Sequence, residues 1–122
     1  MSARRKWLWL LVAALASAIV FAALGPTGMQ IRLGLHWLIE HFLGFFGLTA
    51  LICLAWPRPM VVAAVLLPFA VALEAAQMLT PDRVADPATA LSAAAGVATA
   101  ALLADGILSL RKRRRKPEVL GR

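Results

Sequence analysis

Four polar side chains that can hydrogen-bond or transfer a proton lie in sequence that is otherwise mostly apolar. They are His41, Glu74, Gln77 and Arg83. Glu74 and Gln77 are three residues apart, so on a helix they share one face. A carboxylate near an imidazole or a guanidinium could act as an acid or base, couple a proton to transport, or hold a polar ligand. The same groups could equally link helices, at about 0.6–2 kcal/mol for each hydrogen bond. The residue types leave both interpretations open.

The elements that would position these side chains are apolar segments long enough to cross a membrane. Hydrophobic residues make up 61% of the 122 residues, and the mean hydropathy is +0.80. A soluble domain is nearer half apolar, and a hydrocarbon core of about 30 Å needs roughly 20 helical residues. The pattern predicts an all-α fold: one domain, residues 1–122, forming a four-span transmembrane helical bundle with short loops. The spans are expected at residues 7–24, 33–55, 60–79 and 88–110, followed by a basic tail at residues 111–122.

Turn-forming residues separate the predicted spans. Gly-Pro-Thr-Gly at residues 25–28 ends the first span, and Trp-Pro-Arg-Pro at residues 56–59 makes a tight hairpin, because proline interrupts a helix. Asp86 before Pro87 predicts the start of the fourth helix, with Asp86 as its N-cap. Ala-Leu-Ala at residues 14–16 resembles a signal-peptide cleavage site. The apolar run continues well past it, which favours a retained anchor.

Lysine and arginine are concentrated near the two ends of the chain, and this distribution predicts its orientation. Three stand in residues 4–6 and seven after Leu110, whereas the two loops expected on the opposite side carry one each. Positive charge marks the cytoplasmic side, so both termini are expected there. The outer third of the bundle would then collect most of the other polar side chains: His36, Glu40, His41, Glu74, Gln77, Arg83 and Asp86.

A run of six basic residues follows the fourth predicted span. Basic clusters directly after a membrane span typically fix topology and contact anionic lipid headgroups. The run has no aromatic residue on which a base could stack, so nucleic acid is not an expected partner. Membrane lipids are the predicted partner of Arg111, Lys112, Arg113, Arg114, Arg115 and Lys116.

No pattern in the sequence predicts a cofactor or a metal site. It contains no glycine-rich phosphate loop and no nucleophile elbow, and His36 and His41 are five residues apart, so they do not share a helix face. In the fourth span, Ser92, Gly96 and Ala100 form a small-residue stripe that lets another helix approach closely. We expect spans two and four to pack tightly against span three. The stripe could instead form the seam of a homo-oligomer, or face another membrane protein.

Several of these residues together resemble the signature of the VanZ-like family of small bacterial integral membrane proteins. The matching positions are Glu74 and Gln77 in an E-x-x-Q pattern, Arg83, Gly96 and the segment around His41. The chain departs from the signature where the family has Asp and Asn, since Thr89 and Ala93 stand there. The resemblance covers roughly residues 35–104.

The resemblance implies a multi-pass protein of the bacterial cytoplasmic (inner) membrane with a role in the cell envelope. The family's founding member is linked to low-level teicoplanin resistance, and the family as a whole has no general biochemical activity assigned. The expected functional cluster is Glu74, Gln77, Arg83 and His41, with Asp86 and Gly96 in structural roles. Glu74 is expected to come within reach of His41 or Arg83.

Three functions follow as hypotheses, which we rank in the order given. The first is a non-enzymatic envelope protein whose outer polar cluster binds a lipid, a wall-related ligand or a membrane partner. The second is a small proton- or substrate-coupled transporter that uses Glu74. The third is an intramembrane enzyme in which Glu74 and His41 act as acid and base.

Overall fold

Four α-helices make up the computed structural model, which describes residues 2–25, 36–80 and 86–115. All four are long and apolar enough to cross a membrane, with mean hydropathies of 2.4, 1.9, 2.1 and 1.7 in chain order. The all-α prediction is therefore confirmed, and each predicted span corresponds to one helix. The helices are α1 (Ala3–Leu24), α2 (Trp37–Ala55), α3 (Pro59–Gln77) and α4 (Pro87–Arg115).

The helix boundaries follow from the local sequence. Ser2 caps α1, its hydroxyl accepting the Arg5 backbone N–H at 3.3 Å, so the helix begins four residues before the predicted span. Pro59 occupies the first turn of α3, where its missing N–H costs nothing. The helix α4 has 29 residues, about 43 Å at 1.5 Å per residue. It continues as helix through the basic run as far as Arg115.

Contacts between the helices fix their relative directions. Ser92 Oγ of α4 donates a hydrogen bond to the Leu38 carbonyl of α2 at 2.5 Å, and one turn further along both helices Gly96 lies against Phe42. The helices α2 and α4 are therefore parallel neighbours. In contrast, Gly44 of α2 lies against Ile19 of α1, and Gly47 lies against a residue one turn earlier, Leu15. The helix α1 therefore runs antiparallel to α2.

The most extensive helix contact is between α2 and α4, followed by that between α3 and α4. The contact between α2 and α3 is much smaller. The expectation that spans two and four pack tightly against span three therefore agrees with the structure for span four and is wrong for span two. The small side chains of α4 explain the difference, because Gly96 lets the α2 backbone approach at Phe42 and Phe46. Leu48, Ala93 and Val97 are almost completely buried in this part of the core.

The alternating helix directions give the bundle two chemically different ends. One end, which we call the basic end, holds the start of α1, the hairpin between α2 and α3, and the end of α4. Its lysine and arginine side chains are Arg4, Arg5, Lys6, Arg58, Arg111, Lys112, Arg113, Arg114 and Arg115. The other end, which we call the polar end, carries three of the carboxylates within the described ranges. With the histidines, its titratable residues are His36, Glu40, His41, Glu74 and Asp86.

Candidate functional site

Glu74 lies in the last turn of α3, where its half-buried side chain faces the start of α4. One carboxylate oxygen, Oε1, accepts the backbone N–H of Asp86. The other, Oε2, is 2.6 Å from the hydroxyl oxygen of Thr89. Both oxygens of Glu74 are thus engaged by the first turn of α4. We refer to Glu74, Asp86 and Thr89 as the α3–α4 clamp.

The first turn of α4 supplies hydrogen-bond donors to the clamp because its N–H groups have no partners within the helix. Asp86 Oδ1 accepts the Ala88 N–H at 2.9 Å, the geometry of an N-cap side chain. Pro87 has no N–H to satisfy, and the Thr89 N–H reaches the Asp86 carbonyl at 3.0 Å. A carboxylate at a helix N-terminus is also stabilised by the helix dipole, so Glu74 is well placed at this helix start.

Gln77 forms a second link at the polar end. Its Nε2 donates to the backbone carbonyl of Ala23 at 3.0 Å, which ties the end of α3 to the end of α1. The Gln77 carbonyl accepts the Thr80 hydroxyl at 2.7 Å, closing the turn after α3. Glu74 and Gln77, which the sequence places on one helix face, therefore bond to two different helices.

His41 lies in the first half of α2, where it bonds to its own helix. Its Nδ1 is 2.7 Å from the Trp37 carbonyl, and since a carbonyl only accepts, Nδ1 carries a proton and donates to it. In the part of the chain that the structure describes, no hydrogen bond joins His41 to Glu74. Arg83, the other expected partner of Glu74, lies outside the described residues.

Thr89 belongs to the clamp although the sequence analysis did not place it in the functional cluster. A usable signal was present: Thr89 is three residues after the capping residue Asp86, so its side chain must sit in the first turn of α4. It is only 5% exposed, and its hydroxyl oxygen lies 2.6 Å from both Glu74 Oε2 and the Asp86 carbonyl oxygen.

The polar end is thus a set of satisfied hydrogen bonds that holds helix ends together. Within residues 2–25, 36–80 and 86–115, no buried side-chain nitrogen or oxygen lacks a hydrogen-bond partner. The same ranges contain no group of three or more His, Cys, Asp or Glu side chains placed to hold a metal ion. Chemically, the arrangement positions α1, α3 and α4, and it leaves His41 Nε2 without a hydrogen-bond partner in the described structure.

Replacing Gln77 by leucine is expected to loosen α1 from the bundle. The change removes the only side-chain hydrogen bond between α1 and α3 in the described ranges, at a cost of about 0.6–2 kcal/mol. Amide hydrogen exchange at the end of α1 should accelerate correspondingly. Ala72→Leu is the matched control, because Ala72 is exposed on the same helix. Equal amide exchange rates at the end of α1 in the Gln77→Leu and Ala72→Leu variants would show that the Gln77–Ala23 hydrogen bond does not stabilise α1.

Comparison of the chain with protein-family models, with curated proteins and with solved structures gave no match. The polar end is therefore interpreted by its own geometry. Its defining feature is that each side chain of the α3–α4 clamp already has a partner within the bundle.

Proposed function

We propose that this chain is a non-enzymatic, VanZ-like protein of the bacterial inner membrane, with its basic end in the cytoplasm. Its polar end then lies at the outer face and binds a lipid or wall-related ligand. In this proposal Glu74 is a structural residue that holds the binding surface together. The observation that carries the proposal is the engagement of both Glu74 oxygens by the start of α4.

The same observation counts against a coupled transporter that uses Glu74. A coupling carboxylate must exchange its partners in every cycle, which here would break the bonds to the Asp86 N–H and the Thr89 hydroxyl. Hydrogen bonds to charged groups contribute about 1.5–3 kcal/mol each. A carboxylate that joins the last turn of α3 to the start of α4 is better suited to holding these two helix ends together than to moving with a substrate.

An acid–base enzyme is also less well supported. General acid–base catalysis needs the two groups within about 2.6–3.2 Å of the atoms they serve, and a shared substrate would have to lie between Glu74 and His41. Glu74 is engaged by α4, and His41 Nδ1 is engaged by Trp37 in its own helix. Of the ring nitrogens and carboxylate oxygens of these two side chains, His41 Nε2 alone has no hydrogen-bond partner in the described residues, and one imidazole nitrogen can hydrogen-bond to a ligand.

A complementation experiment tests the proposal. Deletion of the gene is expected to raise sensitivity to glycopeptides and to detergent, and the wild-type gene should restore resistance. Glu74→Gln should also restore it, because a carboxamide can still accept the Asp86 N–H. Glu74→Leu should restore it only in proportion to a reduced amount of protein in the membrane, measured by immunoblot.

Two outcomes would overturn the proposal in different ways. Glu74→Gln protein that is present at the wild-type level but fails to complement would assign a coupling or acid–base role to the carboxylate. Unchanged sensitivity of the deletion strain to both agents would remove the envelope role, whatever Glu74 does.

A further inference from the structure

We propose that the basic end is a composite binding surface for anionic phospholipid headgroups. It is built from the start of α1, the hairpin between α2 and α3, and the end of α4, not from the C-terminal run alone. The inference concerns the end of the bundle opposite the α3–α4 clamp. It does not depend on the ligand proposed for the polar end.

The register of α2 and α4 places the basic run directly beyond the apolar part of the bundle. An offset of 54 residues relates Leu38 to Ser92, and the same offset relates Phe42 to Gly96. If the same offset holds to the end of α2, its last residue, Ala55, lies beside Ser109 of α4. The charges of α4 start two residues later, at the level of the hairpin.

The register of α1 against α2 brings the start of α1 to the same level. Contacts of Gly44 with Ile19 and of Gly47 with Leu15 place the end of α2 beside Trp7. Trp7 is 67% exposed and Trp56, just after α2, is 36% exposed. Exposed tryptophans at one level of a helical bundle mark a membrane–water interface, so this level is where headgroups begin.

All nine basic residues lie at this level or beyond it. Those of α1 occupy residues 4–6, Arg58 lies in the hairpin, and five fill the last turn and a half of α4. On α4, Ala104 and Leu108 are half-buried among exposed neighbours. The bundle-facing side of the helix continues from them, at a spacing of three to four residues, to Arg111 and Arg115. These two side chains therefore stand on the side of α4 that faces the rest of the basic end.

The positive charge of this surface is not balanced within the described chain. None of the nine side chains forms an ion pair with any carboxylate of the described ranges, and Asp105 is the only acidic residue in the second half of α4. Like charges collected without partners need an external counter-charge. At the headgroup level, that counter-charge is the phosphate of an anionic lipid. A nucleic acid would not account for the exposed tryptophans at the same level.

The test measures which lipid surrounds the basic end. The full chain carrying Trp37→Phe, which removes the tryptophan at the polar end, is placed in phosphatidylcholine vesicles containing a minority of phosphatidylglycerol. In matched samples either one lipid or the other carries brominated acyl chains, which quench tryptophan fluorescence on contact. Phosphatidylglycerol should be enriched about three-fold over its bulk fraction at low salt, and about 1 M salt, where the Debye length is about 3 Å, should abolish the enrichment.

Charge variants test whether the surface is composite. Replacing the five basic residues of α4 by glutamine and replacing Arg4, Arg5 and Lys6 by glutamine should each lower the enrichment, and the two sets together should bring it to the bulk fraction. Asp105→Asn is the matched control of opposite sign and should raise the enrichment. Circular dichroism of every variant should show unchanged helix content.

Three results would overturn the inference. The Trp37→Phe chain with all its basic residues intact could show phosphatidylglycerol at its bulk fraction, which would mean that the surface has no lipid preference. The α1 variant could leave the enrichment unchanged, which would confine binding to α4. A single-stranded oligonucleotide at equal phosphate concentration could displace the phosphatidylglycerol, which would assign the surface to nucleic acid.

Discussion

Gly96→Ala is expected to destabilise the protein by about 2–3 kcal/mol, the upper part of the range of about 1–3 kcal/mol that is typical of overpacking. A methyl group on Gly96 would point at the α2 backbone, 3.1 Å from the Phe46 nitrogen and 3.2 Å from the Phe42 carbonyl carbon. A flexible side chain could move aside, but the backbone of a packed helix cannot without separating α2 from α4. Because α2 and α4 share the most extensive contact of the bundle, the substitution should destabilise the whole bundle and not only this contact.

Gly106→Ala is the control for this prediction. Gly106 lies on the same helix, and a methyl group there would meet nothing within 4 Å. Its replacement should be neutral or should stabilise by up to about 1 kcal/mol through helix propensity. The free energies come from reversible unfolding in mixed detergent micelles, followed by tryptophan fluorescence and circular dichroism. Equal stability of the two variants would mean that α2 and α4 are not in close contact at Gly96.

Glu74→Leu is expected to lower the free energy of unfolding by about 2–3 kcal/mol. Leucine leaves the Asp86 N–H without its carboxylate partner, whereas the Thr89 hydroxyl can still donate to the Asp86 carbonyl oxygen 2.6 Å away. The expected loss is therefore close to that of one hydrogen bond to a charged group, about 1.5–3 kcal/mol. The connection between α3 and α4 should loosen first. Amide exchange at the first turn of α4 should therefore accelerate more than exchange in the middle of that helix.

Glu74→Gln separates the negative charge of Glu74 from its hydrogen bonds, because an amide at position 74 can both accept and donate. The Thr89 hydroxyl has one proton, yet it lies 2.6 Å from both Glu74 Oε2 and the Asp86 carbonyl. A carboxamide nitrogen at position 74 could donate to the Thr89 oxygen, which would free the hydroxyl proton for Asp86. Glu74→Gln should therefore stay within about 1 kcal/mol of wild type. A loss equal to that of Glu74→Leu would show that the negative charge itself holds the clamp.

Much of the fold was predictable from hydropathy and turn chemistry, and the pairing of α2 with α4 was not. Four apolar runs, and Asp86 followed by Pro87, predict four helices, because these signals depend only on neighbours along the chain. Which helix packs on which depends on where small residues meet across the bundle. The stripe through Ser92 and Gly96 was visible in the sequence, but α2 as its partner emerged only from the contacts with Leu38 and Phe42.

The candidate site shows the same division. The sequence placed Glu74, Gln77 and Asp86 in one layer, since each stands near the same end of its predicted helix. It did not indicate that Glu74 would bond to Thr89 and Gln77 to Ala23, because a three-residue spacing on one helix does not reveal which neighbours the side chains reach. That Glu74 comes within reach of His41 stays a prediction. Arg83, the other expected partner of Glu74, lies outside the described residues.

The pairing of α2 with α4 has a consequence for biosynthesis. The contacting residues are separated by 54 positions in the chain, and translation proceeds at about 5–20 residues per second, so α2 enters the bilayer roughly 3–11 seconds before its partner. During that interval the backbone at Phe42 and Phe46 has no Gly96 against it. A newly made chain must pass through this half-assembled state each time. We therefore expect membrane proteases to degrade the new chain most readily in the seconds before α4 is inserted.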